Sequence, residues 1–187
     1  MITSQGLSRA FGIKVQVAQS WPPYLREAYK LAEIDTPQRE ACFLAQIGHE
    51  SGCFRFVREI WGPTKQQLRY EGTSLAVKLG NTQEGDGKRY MGRGLIQITG
   101  RANYRMVTVK FKKIFGSDSP DFETDPVQLE SKFWAMQSAA LFWKEKKLNH
   151  FADKNDFSEL TRRINGGYNG LAHRQALYGA LVIELMN

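Results

Sequence analysis

The chain has 187 residues, 42% of them hydrophobic and 24% charged, which is enough for a domain with a full core and too apolar for a disordered polymer. No apolar run approaches membrane-spanning length, so stable insertion in a bilayer is not expected. The net charge of +7 points to an anionic partner: nucleic acid, a membrane surface or an acidic cell-wall polymer.

The N-terminal stretch MITSQGLSRAFGIKVQV carries no signal-peptide pattern, which predicts a protein made in a cytoplasm that something else must release if it acts outside. Pro22 and Pro23 open a segment, LREAYKLAEI, with helical periodicity. DTPQ at 35–38 reads as a helix start, with a capping Asp or Thr and Pro in the first turn. That helix is expected to run to about Ser51, with Gly52 as its stop. DPVQ at 125–128 repeats the pattern. Behind it Leu129, Phe133, Met136, Ala140 and Trp143 form one apolar stripe. DFSE at 156–159 is a third capping box, closed by Gly166, and the last helix aligns Leu171, Tyr178, Leu181 and Leu185. Between Gly80 and Gly100 the chain is Gly-rich, and Leu95–Thr99 is its one β-like piece. A long loop of this kind in a compact domain is usually a site.

These elements predict a mainly α protein of two helical lobes around a cleft. It forms a single domain over 1–187, with an N-terminal helical segment (1–35) and a core (36–187). No Pro/Ser/Gly-rich joint marks a separate wall-binding module. The lysine clusters at 110–113 and 144–147 read as solvated helix faces, and no nucleic-acid-binding motif accompanies them. Cys42 and Cys53 lie roughly 16 Å apart at the helical rise, too far for a disulfide. Free, mostly buried thiols are expected.

The helix ending in IGHE places Glu50 roughly 20° from Phe43 and 60° from Ile47, at the edge of the apolar stripe, for about 100° per residue. It also falls at the negative end of the helix dipole. Both features oppose ionisation, as a general acid requires, although an exposed helix-end acid has the same spacing. Glu59 follows among Arg55, Arg58 and Gly62, a setting that favours a carboxylate. Two carboxyls in opposed environments suit glycosidic bond cleavage. Gln97, Thr99, Asn103 and Tyr104 cluster at the exit of the Gly-rich loop, where amides, hydroxyls and aromatics could hold sugar and water. Arg174 falls on the buried line of the last helix and needs an acidic partner. That partner is either any structural acid or a catalytic carboxylate, Glu59 foremost. HESGC lacks the HExxH zinc pattern, and the three histidines are scattered, so neither metal nor cofactor is expected.

Together FLAQIGHESG, FRFVREIWGPT, KRYMGRGLIQITGRANY and RRINGG followed by His173–Arg174 resemble glycoside hydrolase family 19, most closely its short phage-type endolysins. The resemblance implies a lysozyme-like fold and inverting hydrolysis of β-1,4 links beside N-acetyl sugars. It assigns Glu50 as general acid, Glu59 as general base and Thr99 as water-positioning hydroxyl. It assigns Gln97, Asn103, Tyr104, Asn165 and Arg174 to substrate. Glu71, in RYEG, is a rival base at the wider acid-to-acid separation of plant chitinases. The substrate expected is peptidoglycan in an anionic envelope, attacked by a monomer, with chitin as the alternative. Other readings are a cysteine amidase using Cys42 or Cys53 with His49 or His173, and a non-catalytic wall-binding module.

Overall fold

The computed structural model describes residues 1–186. In chain order its α-helices are α1 (Ser4–Phe11), α2 (Val15–Ala18), α3 (Pro22–Ala32), α4 (Pro37–Glu50), α5 (Lys65–Leu68), α6 (Ser74–Leu79), α7 (Asp86–Arg89), α8 (Arg101–Phe115), α9 (Lys132–Glu145), α10 (Asn149–Asp153), α11 (Phe157–Asn165) and α12 (Leu171–Met186). A 3₁₀ turn covers Pro126–Glu130. The chain divides into two units: residues 1–55 with 139–187, and residues 56–138. Residues 1–35, the expected N-terminal helical segment, fall within the first unit.

In the first unit α4 is central. Thr36 caps it by accepting a hydrogen bond from the Arg39 N–H, and Pro37 fills the first helical position. Every residue from Glu40 to Gly48 is buried, so the helix is enclosed on all sides rather than striped. Phe43 meets Tyr29 and Trp143 edge-on, with ring centroids 6.1 and 5.3 Å away. α12 and α10 pack against α4, and α1 packs against α12. The expected line of α12 is shifted: Arg174, Leu177 and Leu181 are its buried residues, with Leu171, Tyr178 and Leu185 at the margin. Glu40, buried in the first turn of α4, accepts the Ile2 N–H at 2.6 Å and the Tyr29 hydroxyl at 3.1 Å.

The second unit is built on α8. Phe111 gathers Phe115, Phe122 and Trp134 at centroid distances of 5.3–5.8 Å. Two sequence expectations are corrected here. DPVQ does not cap an α-helix: Asp125 Oδ2 accepts the Gln128 side-chain amide, a 3₁₀ turn follows, and α9 starts afresh at Lys132. Leu95–Thr99 is β-like only at Ile98, in an isolated antiparallel bridge to Arg93, and forms no extended strand. Arg93 and Ile98 exchange backbone hydrogen bonds of 3.0 and 2.8 Å, and the residues between them form a turn in which Gln97 has φ 56°. The reciprocal capping box that does form at a helix start is Thr64–Gln67, ahead of α5. At Asp156 half of the expected box forms: its carboxylate accepts the Glu159 N–H, while the Glu159 side chain pairs with Arg162 and Arg163.

Candidate functional site

In the first unit the site grows from the last two turns of α4. Gln46 and Glu50 are one turn apart on the same face. Arg174 of α12, with no solvent exposure, donates from Nη1 to Gln46 Oε1 at 2.6 Å and from Nη2 to Glu50 Oε1 at 2.5 Å. Its Nε reaches the Asn169 carbonyl at 3.3 Å. Gln46 in turn donates to the Thr161 hydroxyl at 2.9 Å, and Thr161 donates to the Phe157 carbonyl at 3.0 Å. A buried guanidinium needs each of these acceptors. Glu50 keeps 21% side-chain exposure, and its Oε2 accepts no hydrogen bond among the described residues. The partner foreseen for Arg174 was Glu59. It is Glu50, because the i, i+4 pairing of Gln46 and Glu50 presents two acceptors to one guanidinium. Full burial leaves the Arg174 guanidinium no surface open to solvent.

Beside this pair, His49 Nδ1 and His173 Nδ1 lie 2.8 Å apart. Burial lowers the proton affinity of His49, and the Arg174 charge lowers it further. One ring is then neutral and accepts from the other. Gly170 packs directly on His49: a Cβ there would run into the imidazole at Cε1 and Nε2. Asn165 is exposed at the C-terminal end of α11, where Gly166 closes the helix in the left-handed conformation.

In the second unit the site is organised around Gly92. The Glu59 N–H donates to the Gly92 carbonyl at 2.8 Å, and the Gly92 N–H returns to Glu59 Oε2 at 3.0 Å. The Tyr70 hydroxyl donates to Glu59 Oε1 at 3.4 Å. Burial, then the Glu59 charge, pushes the Tyr70 hydroxyl up to about 12, so it remains a donor. A Cβ on Gly92 would fall 2.6 Å from Gln97 Oε1 and 3.3 Å from Thr99 Oγ1. Glu59, Gln97 and Thr99 therefore converge on one glycine that has no side chain to separate them. Thr99 donates to the Gln97 carbonyl at 2.9 Å, and exposed Asn103 donates to the Thr99 carbonyl at 2.6 Å.

Tyr104 does not join this group. It is fully buried, donates to the Met91 carbonyl at 2.6 Å and accepts from Arg93 at 3.0 Å, so it braces the loop instead of meeting a sugar. Arg93 is held in turn by Glu130 at 2.8 Å. Glu71 accepts the Gly87 N–H at 2.9 Å, at the other end of the Gly-rich loop. Sequence reasoning passed over Gln46, Thr161, Gly92 and Tyr70. For Gln46 the signal was present: a lone amide inside an apolar helix, one turn before the acid.

Cys42 and Cys53 are free. Burial raises both thiols, Cys42 to about 12, so neither is the activated nucleophile that an amidase needs. Among the described residues no group of three or more His, Cys, Asp or Glu side chains is placed to hold a metal ion.

No family model matches the chain. It is 38% identical over 170 residues to a glycosyl hydrolase family 19 domain-containing protein of Haemophilus influenzae, across 78% of this chain and 79% of that protein. It is 29% identical to Chitinase 6 of Oryza sativa over 73% of this chain, which spans 46% of that enzyme. Among solved structures, chitinase C of Streptomyces griseus aligns with all of the chain at a TM-score of 0.69 and 18% identity, over 77% of its own length. A bacterial family 19 chitinase aligns with 98% of the chain and 94% of itself, at a TM-score of 0.68 and 19% identity. The fold is therefore the helical, lysozyme-like one that the sequence predicted. With that identity sustained across most of both sequences in the first comparison, the chain belongs to glycoside hydrolase family 19.

Proposed function

We propose that the chain hydrolyses β-1,4 glycosidic bonds with inversion, and that its substrate is bacterial peptidoglycan. The observation that carries the reading is the distinct anchoring of two carboxyls. Glu50 is fixed through Oε1 by a buried guanidinium, with Oε2 accepting no hydrogen bond among the described residues. Glu59 is fixed through both oxygens by the Gly92 N–H and the Tyr70 hydroxyl, beside the hydroxyl of Thr99. In the reaction Glu50 protonates the glycosidic oxygen as the bond to the anomeric carbon breaks. Glu59 takes a proton from a water that attacks the opposite face, and Thr99 helps hold that water. Gln97, Asn103 and Asn165 contact the glycan. Solvent then returns a proton to Glu50 and removes one from Glu59.

Two features support peptidoglycan and an endolysin-type, wall-lysing role: the net charge of +7, which suits an anionic envelope, and the likeness of FRFVREIWGPT to the short endolysin form. Chitin is the second reading, favoured by the names of the plant relative and of the structural neighbours. Reducing-end analysis separates them. Digestion of purified walls should release new sugar reducing ends, muramic acid among them, with the inverted anomer first, while an N-acetylglucosamine hexamer should be cut slowly. Glu50→Gln and Glu59→Gln should each lower kcat by about 10²–10⁴. Full activity of Glu50→Gln ends the mechanism, and efficient chitin cleavage with intact walls ends the substrate assignment.

A further inference from the structure

The chain just after Glu50 turns in an unusual way. Gly52, Cys53 and Phe54 all have positive φ, at 58°, 57° and 65°. A run of left-handed residues, two of them bearing a Cβ, is disfavoured and persists only where its surroundings impose it. The hydrogen bonds are local: Cys53 N–H to the Gly48 carbonyl at 2.6 Å, Gly52 N–H to the His49 carbonyl at 3.3 Å, and Phe54 N–H to Ser51 Oγ at 2.9 Å. Packing supplies the rest. Phe54 is 4% exposed, with its ring 5.1 Å from Phe11 and 4.7 Å from Trp21.

Phe11 makes a second contact on the same helix. A Cβ on Gly48 would lie 2.7 Å from Phe11 Cζ, so the ring rests on bare backbone two residues before Glu50. The helix that ends in Phe11 also meets α12, the bearer of Arg174: Arg9 pairs with Glu184 through bonds of 2.8 and 2.6 Å. The N-terminal segment thus grips the chain on both sides of Glu50 in sequence, at Gly48 of α4 and at Phe54 in the turn beyond it, and it grips the helix that supplies the guanidinium.

We propose that Phe11, with Trp21 behind Phe54, is a positioning residue for Glu50: it clamps Gly48 and the left-handed turn, and so fixes where the carboxyl of the proposed acid points. The inference rests on the assignment of Glu50 above. Residues 1–21 are then part of the catalytic apparatus without touching substrate.

The test uses the full chain on purified peptidoglycan and on an N-acetylglucosamine hexamer. Phe11→Ala should lower kcat about 10- to 100-fold with KM changed less than about threefold, because small misplacement of a reacting group costs that much. Phe11→Leu should recover most of the loss. Phe115→Ala, in the aromatic cluster of the second unit, should lose similar thermal stability and keep kcat. If Phe11→Ala does not fold, Gly48→Ala, which drives a methyl into the Phe11 ring, should give the same selective fall in kcat. Folded Phe11→Ala or Gly48→Ala with native kcat, or a loss no larger than in Phe115→Ala, overturns the clamp while Glu50→Gln remains inactive. An active Glu50→Gln overturns the clamp and the assignment of the acid together.

Discussion

Arg174 has no exposure and holds Gln46 and Glu50 at once. Replacing it with Met leaves two acceptors facing an apolar chain, and should cost about 3–5 kcal/mol of stability, read from the urea midpoint. Arg174→Lys should recover little, because one ammonium cannot span both acceptors as a planar guanidinium does. His49 supplies a pH test. Burial and then Arg174 lower its proton affinity from the usual 6.5, so folding favours the neutral ring. Its contribution is intact above that value and is lost as the pH falls through the folded-state value below it. The melting temperature should therefore fall more steeply below about pH 6.5 in the native chain than in His49→Asn, as calorimetry across pH would show. At this scale the sequence singled out the proposed acids, since a glutamate at the end of a buried helix is conspicuous. It could not show that Arg174 meets Glu50 rather than Glu59, because a guanidinium 124 positions away is placed by packing.

Helix starts with a real side-chain acceptor were readable, and the Thr36–Pro37 start of α4 is an example. Asp125 was misread because capping patterns describe hydrogen-bonding capacity, and there the carboxylate met the Gln128 side-chain amide instead of the backbone. The Gly-rich loop depends on close approach. A Cβ on Gly100, at φ 92°, would lie 2.6 Å from the Leu79 carbonyl oxygen and from its Cβ, where α6 meets α8. Backbone cannot yield as a flexible side chain can. Gly100→Ala should therefore destabilise the chain by about 2–4 kcal/mol, measured by denaturant unfolding. Tyr104 was read as a sugar ligand because its neighbours in the motif are polar. It stands at a buried position of α8, and its hydroxyl secures the loop through Met91 and Arg93.

For the molecule as a whole, the charge of +7 is a statement about encounter rather than chemistry. Retention on purified walls carrying anionic polymer should weaken as salt rises from about 0.05 to 0.5 M, where screening shortens to a few ångströms. kcat on a neutral hexamer should change little over the same range. Co-sedimentation beside hexamer kinetics checks both. Equal salt sensitivity of the two would assign the charge to the catalytic step instead of the envelope.

The amino-acid sequence by itself determined the mainly helical class and carried the family resemblance, and it singled out the two proposed catalytic carboxyls and the loop that bears Thr99 and Gln97, because these reside in local periodicity, capping chemistry and contiguous motifs. Tertiary structure decided which side chains support them: Arg174 and Gln46 behind Glu50, Gly92 and Tyr70 around Glu59, Tyr104 withdrawn into the core, and Phe11 against Gly48. Those pairings join distant stretches of chain through the fit of buried surfaces, and no window of sequence records which surfaces will meet.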